Sequence, residues 1–100
     1  MAKVIMRYEV TFNDYLEVEV PDEVYNEVLK TKKDLEDYVN STSPADVRWW
    51  ENEWRERYDN ACDKLEAYIN PDAPYHEHPD VDYIYINALE TEDGDELIGW

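Results

Sequence analysis

The sequence predicts an α+β domain: an antiparallel sheet of three or four strands with two helices packed on one face, in the order ββααββ. Three observations predict it. Residues 4–12 and 15–20 alternate apolar and polar side chains, the period-two pattern of half-buried strands. Residues 21–40 and 44–69 instead repeat their apolar positions every three or four residues, as amphipathic helices do. Two further strand-like runs, VDYIYINAL and LIGW, flank the acidic stretch EDGDE near the end of the chain. A sheet with one apolar side needs covering, and two such helices suffice. No internal repeat or composition shift divides the chain, so residues 1–100 read as one acidic domain.

In the first strand Val4, Met6, Tyr8, Val10 and Phe12 point inward. In the second, Leu16, Val18 and Val20 do so, leaving Tyr15, Glu17 and Glu19 outside. Asn13-Asp14 between them suits a tight hairpin turn. The first helix presents Val24, Val28, Thr31, Leu35 and Val39 on one side. Ser43 as N-cap, Pro44 at the first helical position and Asp46 at the third predict the start of the second. Its buried stripe is then Val47, Trp50, Trp54, Tyr58, Ala61, Leu65, Tyr68 and Ile69, and Asn70-Pro71 ends it. Glu51 with Arg55 and Glu53 with Arg57 are spaced for i,i+4 ion pairs. The prolines at 71, 74 and 79 mark an irregular connector, after which the third strand (81–89) points Ile84 and Ile86 inward and Tyr83 and Tyr85 outward.

Charge is the strongest functional signal. The 100 residues include 26 Asp and Glu against 9 Lys and Arg, a formal −17. Such a chain repels DNA, RNA and anionic membranes, so neither is expected as a direct partner. Apolar residues make up 43% of the chain, too many for an acidic disordered tail. No signal-peptide pattern opens the sequence and no apolar run is long enough to span a bilayer. Together with the single cysteine, Cys62, this points to the cytoplasm.

Catalytic and metal-binding patterns are weak. Carboxylates are too abundant for any two to be singled out as acid and base, two glycines leave no phosphate-binding loop, and Cys62 lies on the flank of the helix stripe as a packing residue. His76 and His78, with Asp80 and Asp82, match no zinc spacing, and ETEDGDE lacks the ligand order of a calcium loop. The expectation is a non-enzyme without metal or cofactor, with the two histidines as solvated loop residues.

The candidate binding residues lie on three acidic surfaces. On the outer side of the second helix Glu53, Glu56 and Asp63 form a ridge that Trp49 joins as an apolar anchor; tryptophan is enriched at binding hot spots. The competing expectation for Trp49 is burial beneath the proline-rich connector or a terminus. Glu17 and Glu19 line the outer sheet face, and Glu90, Glu92, Asp93, Asp95 and Glu96 cluster at the last turn. Tyrosines interleaved with acids suit a basic partner, and they leave a homo-oligomer open.

Duplex DNA carries one charge per about 1.7 Å of axis, so seventeen charges correspond to roughly 29 Å of duplex. A compact domain of this length, with a radius of gyration of about 13 Å, spans a comparable distance. Size, acidity, aromatic content and the lack of catalytic motifs resemble the small DNA-mimic proteins that phages and mobile elements use against CRISPR and restriction systems. The resemblance covers the whole chain as composition and rests on no motif. It implies an inhibitor in the host cytoplasm that occupies the basic DNA- or PAM-binding groove of a defence complex. An acidic interaction module for another basic protein, and an ordinary protein of a halophile, are the alternatives.

Overall fold

The computed structural model describes residues 1–99. It is an α+β fold built on a four-stranded antiparallel sheet, with strands β1 (Ala2–Glu9), β2 (Asn13–Val20), β3 (Tyr85–Glu90) and β4 (Glu96–Gly99). The chain forms helices α1 (Asp22–Ser41), α2 (Glu53–Glu66) and α3 (Ala73–Glu77) between β2 and β3. The spatial order of the strands is β2-β1-β3-β4. Trp100, expected to end the fourth strand, lies outside the described residues.

The alternation holds where it decides the core. Val4, Met6, Tyr8 and Val20 are buried, and Leu89 and Leu97 join them from the second hairpin. One cluster gathers Val4, Met6, Val20, Leu89 and Leu97 of the strands with Val28 of α1 and Ala61, Cys62 and Leu65 of α2. The third strand begins at Tyr85 rather than at residue 81, so Tyr83 and Ile84 precede it. Ile84 is nevertheless buried and Ile86 packs against the cluster, while Tyr83 and Tyr85 are exposed with their rings edge-on at 4.5 Å.

The first hairpin turns earlier than expected. Glu9 pairs with Asn13, so residues 10–12 form the loop and Asn13-Asp14 already belong to β2. The reason is parity. A two-residue turn at 13–14 would set inward Phe12 against outward Tyr15, and each pair behind it would be mismatched likewise. The observed register instead matches Met6 with Leu16 and Val4 with Val18. Phe12, expected inside, is left exposed in the loop.

The second helix begins nine residues late. Ser43, Pro44 and Asp46 form only a turn, closed by the Asp46 N–H donating to the Ser43 carbonyl at 2.8 Å. The chain then runs irregularly to Asn52, whose side chain caps α2 by accepting from the Arg55 N–H at 2.7 Å. The Arg48 N–H donates to the Tyr38 hydroxyl at 3.2 Å, so the intervening segment is tied to α1 rather than wound as helix. Trp50 is therefore not in the core stripe: it is 78% exposed. Tyr68 also falls outside the stripe, because α2 ends at Glu66 and the ring is exposed. The connector contains the short α3, anchored by buried Pro74.

Candidate protein-interaction surface

On α2, Glu53, Glu56 and Asp63 are exposed on the helix, as the spacing requires. Glu53 and Glu56 sit in the first turn, where the positive end of the helix dipole favours carboxylates. Arg57 lies 3.4 Å from Glu53 and stacks on the Trp54 ring at 4.9 Å. The expected Glu51–Arg55 pair does not form, because Glu51 precedes the helix; Arg55 lies 3.0 Å from Asp59 instead. That contact is an ion pair without a directed hydrogen bond from the buried Nε.

Trp49 is not on this ridge, since it lies before the N-cap in the irregular segment. Nor does the connector bury it: the ring is 58% exposed. Arg48, Trp49, Trp50 and Glu51 line a shallow open recess, and the Arg55 guanidinium covers the Trp50 ring at 4.8 Å. The segment thus offers two adjacent apolar rings beside the first turn of α2.

Along the length of α2 the chain brings two separate acidic sets together. Asp63 and Glu96 line one open cleft of about 570 Å³, with Asp59, Glu66, Arg55, Tyr58 and Cys62. The Tyr58 hydroxyl donates to the Leu97 carbonyl and ties α2 to β4 beside the cleft. Burial pushes the Tyr58 hydroxyl up, reinforced by neighbouring Cys62. Burial likewise raises the Cys62 thiol to about 11, which leaves it protonated and suits its place in the core cluster. Asp59 and Glu66 were not among the expected binding residues. Their signal was present, because positions 59, 63 and 66 follow the i, i+4, i+7 spacing of one helix face.

The β3–β4 turn has its own frame. Thr91 is buried; its N–H donates to the Asp95 carbonyl at 2.8 Å and its hydroxyl accepts from the Asp95 N–H at 3.1 Å. Gly94 closes the turn at φ 93°, in the left-handed region. Glu92, Asp93, Asp95 and Glu96 are exposed around it. After burial, the charges of Asp93, Glu92 and Asp95 are what raise the Tyr25 hydroxyl. Glu90 stands apart from this group: it is half-buried and accepts from Arg7 Nε at 2.8 Å.

On the sheet, Glu17 and Glu19 are exposed on β2. Glu17 shares a recess with Glu92, Ile5, Arg7 and Tyr15, so the first and last hairpins contribute to one surface. Arg7 sits over the Tyr15 ring at 5.3 Å, and Lys3 lies 3.9 Å from Glu17.

His76 is exposed, but His78 is not the solvated loop residue expected. Its Nε2 stands 3.1 Å from Asp14 Oδ2 and 3.2 Å from the Tyr8 hydroxyl, and the Phe12 ring packs edge-on against it. Among the described residues no group of three or more His, Cys, Asp or Glu is placed to hold a metal ion. No helix among them is long and apolar enough to cross a membrane.

The molecule is longer than the sequence estimate assumed. Its radius of gyration is 15.3 Å and its extents are 49 × 29 × 22 Å. Seventeen net charges over 49 Å give one per roughly 2.9 Å, sparser than the 1.7 Å of duplex and nearer the 3.4 Å of a single strand. Comparison with protein-family models, curated proteins and solved structures returns no match.

Proposed function

We propose that this chain is a non-enzymatic acidic inhibitor that occupies the basic DNA- or PAM-binding groove of a nucleic-acid-binding host defence complex, a CRISPR effector or a restriction enzyme. The observation that carries the reading is the pairing imbalance of the surface. Lys3, Arg7, Arg55, Arg57 and Lys64 each lie within ion-pair distance of a carboxylate. The acids outnumber the bases almost three to one, so pairing leaves most of them unmatched. A surplus this large destabilises the compact state by self-repulsion, and a positively charged partner is what would offset it.

In this reading α1 and α2 cover one face of the sheet, leaving Glu17, Glu19 and Tyr85 on the other for the partner. Glu53, Glu56 and Asp63 engage the phosphate-binding Lys and Arg of the groove, joined by Glu92, Asp93, Asp95 and Glu96, with Trp49 as the apolar anchor. The protein works in the host cytoplasm, encoded by a phage or mobile element. It needs no metal or cofactor and does not touch nucleic acid itself.

Competition tests this. The chain should displace labelled DNA from its target complex while showing no affinity for the DNA alone. A ternary complex in which the target holds DNA and this protein together, without mutual weakening, would leave only a plain interaction module.

A further inference from the structure

β2 is the outer strand of the sheet, and all eight of its residues pair with β1 in unbroken register. The other two pairings are each shifted by a bulge. A regular, unbulged edge strand is a template for another chain, because its outward N–H and C=O groups have no ladder partner.

The hydrogen bonds identify which groups those are. The Tyr15 N–H donates to Asp14 Oδ1 at 2.8 Å, so it points away from β1. Backbone groups in an antiparallel strand alternate sides, which places the N–H and C=O of Glu17 and Glu19 on the same open edge. Asp14 occupies the Tyr15 donor and leaves those of Glu17 and Glu19 free.

Side chains define the occupant. Glu17 and Glu19 stand exposed on one face of the edge. Leu16 and Val18, on the other face, pack against the core cluster but are only half-buried. An added strand places alternate side chains beside these two sets. The first set calls for Lys or Arg, the second for apolar groups. A second copy of β2 meets the apolar need but not the charged one, since antiparallel self-pairing sets Glu17 and Glu19 against their like, and facing like charges are destabilising.

We infer that the free edge of β2 takes up an extended segment of a partner protein that alternates Lys or Arg with apolar residues, adding it as a fifth strand. Backbone pairing at Glu17 and Glu19 supplies the grip, and the two faces supply the selection. The inference deepens the proposed function, on which it rests only for the positive charge of the partner.

The test uses a synthetic peptide alternating lysine and valine at about 0.15 M salt. Two controls accompany it: the same residues in blocks, and the alternating peptide N-methylated on the amides that would face β2. Binding is read by titration calorimetry and by hydrogen exchange at the Glu17 and Glu19 amides. The alternating peptide should bind one to one and protect both amides, and the controls should bind about tenfold more weakly or worse. Glu17→Pro should keep the fold, because proline is tolerated where an edge N–H faces solvent, yet lose the peptide; Glu17→Gln should lose much less. Equal binding of the N-methylated peptide to the unaltered protein would overturn the proposal even if Glu17→Pro fails to fold. So would amides already protected in the free protein by self-association. Failure of DNA competition with the peptide still captured would sink the functional reading alone; the reverse result would sink only the edge.

Discussion

His78 Nε2 lies 3.1 Å from Asp14 Oδ2, joining the proline-rich connector to the first hairpin. The same carboxylate oxygen accepts from the Tyr8 hydroxyl at 3.2 Å, and Tyr8 is buried at the end of the β1 core row. The Tyr8 and His78 rings pack edge-on at 5.7 Å. Asp14 thus gives a buried hydroxyl its acceptor and holds in place a segment that has little helix or strand of its own.

This contact makes stability sensitive to acid. The Tyr15 N–H, and after it His78, hold the Asp14 carboxyl below its usual range. A depressed folded value contributes stability above the unfolded value, about 3.9, and that stability is lost as pH falls through the folded value. Asp14→Asn should therefore lower the melting temperature near pH 7, with the gap to the parent closing toward pH 3 and below. Melts across that range check it; a gap of constant size would show that the carboxylate charge is irrelevant there.

At high pH the controlling groups differ. Burial first, then the bond to Asp14, pushes the Tyr8 hydroxyl to about 12. For a raised value, stability is complete below the unfolded value near 10 and declines as pH rises to about 12. Cys62, also raised by burial, should resist a thiol reagent at pH 8 and react only as the chain opens. Labelling rates measured with increasing urea should rise in step with unfolding. Rapid labelling of the native protein would place the thiol outside the core.

The tryptophans separate exposure from core membership. Trp50→Ala removes an exposed ring and its stacking with Arg55, which costs less than about 1 kcal/mol. Trp49→Ala should change stability by no more than about 0.5 kcal/mol, whereas Leu65→Ala, in the centre of the cluster, should cost about 2–5 kcal/mol. Urea titrations rank the three. A tryptophan variant as damaging as Leu65→Ala would mean the 47–52 segment is packed after all. With a target in hand, Trp49→Ala should raise the off-rate.

Gly94 offers a cleaner backbone measurement. A Cβ there would meet nothing within 4 Å, so substitution costs only the strain of a left-handed φ. Gly94→Ala should destabilise by about 1–2 kcal/mol, and Gly94→Asn by less, since asparagine tolerates that region. Equal costs for the two would point to a contact rather than to backbone strain.

Much of this was legible in the residues themselves. The alternation in residues 4–8 and 16–20 specified both faces of the first hairpin, and its parity already excluded a turn at Asn13-Asp14. The second helix misled because two start signals compete. Ser43-Pro44 precedes aromatic residues of modest helix propensity, whereas Asn52 opens a run rich in Glu and Arg, which are strong helix formers. A periodic stripe that included Trp50 favoured the earlier start. The bond between His78 and Asp14 left no local trace, since 64 positions separate them. The cleft was half-visible: Asp59, Asp63 and Glu66 share a helix face, but Glu96 reaches them only because Tyr58 ties α2 to β4.

The last prediction sets folding and binding against each other in salt. Self-repulsion among carboxylates on the α2 face and at the last turn weakens the fold, and salt screens exposed charges beyond roughly 10 Å at 0.1 M. Stability of the free protein should therefore rise between about 0.01 and 0.15 M salt. Neutralising Asp63→Asn or Glu96→Gln should raise it slightly at low salt and have less effect at high salt. Binding to a basic groove must respond in the opposite sense, because attraction is screened as repulsion is. The same two variants should weaken the partner modestly, mainly through slower association. Melting temperature and association rate, measured over one salt series, decide the matter together. If stability falls with salt, the carboxylates are not in net repulsion. If binding strengthens with salt, apolar contacts around Trp49 and Trp50 hold the partner and the acidic surface does not.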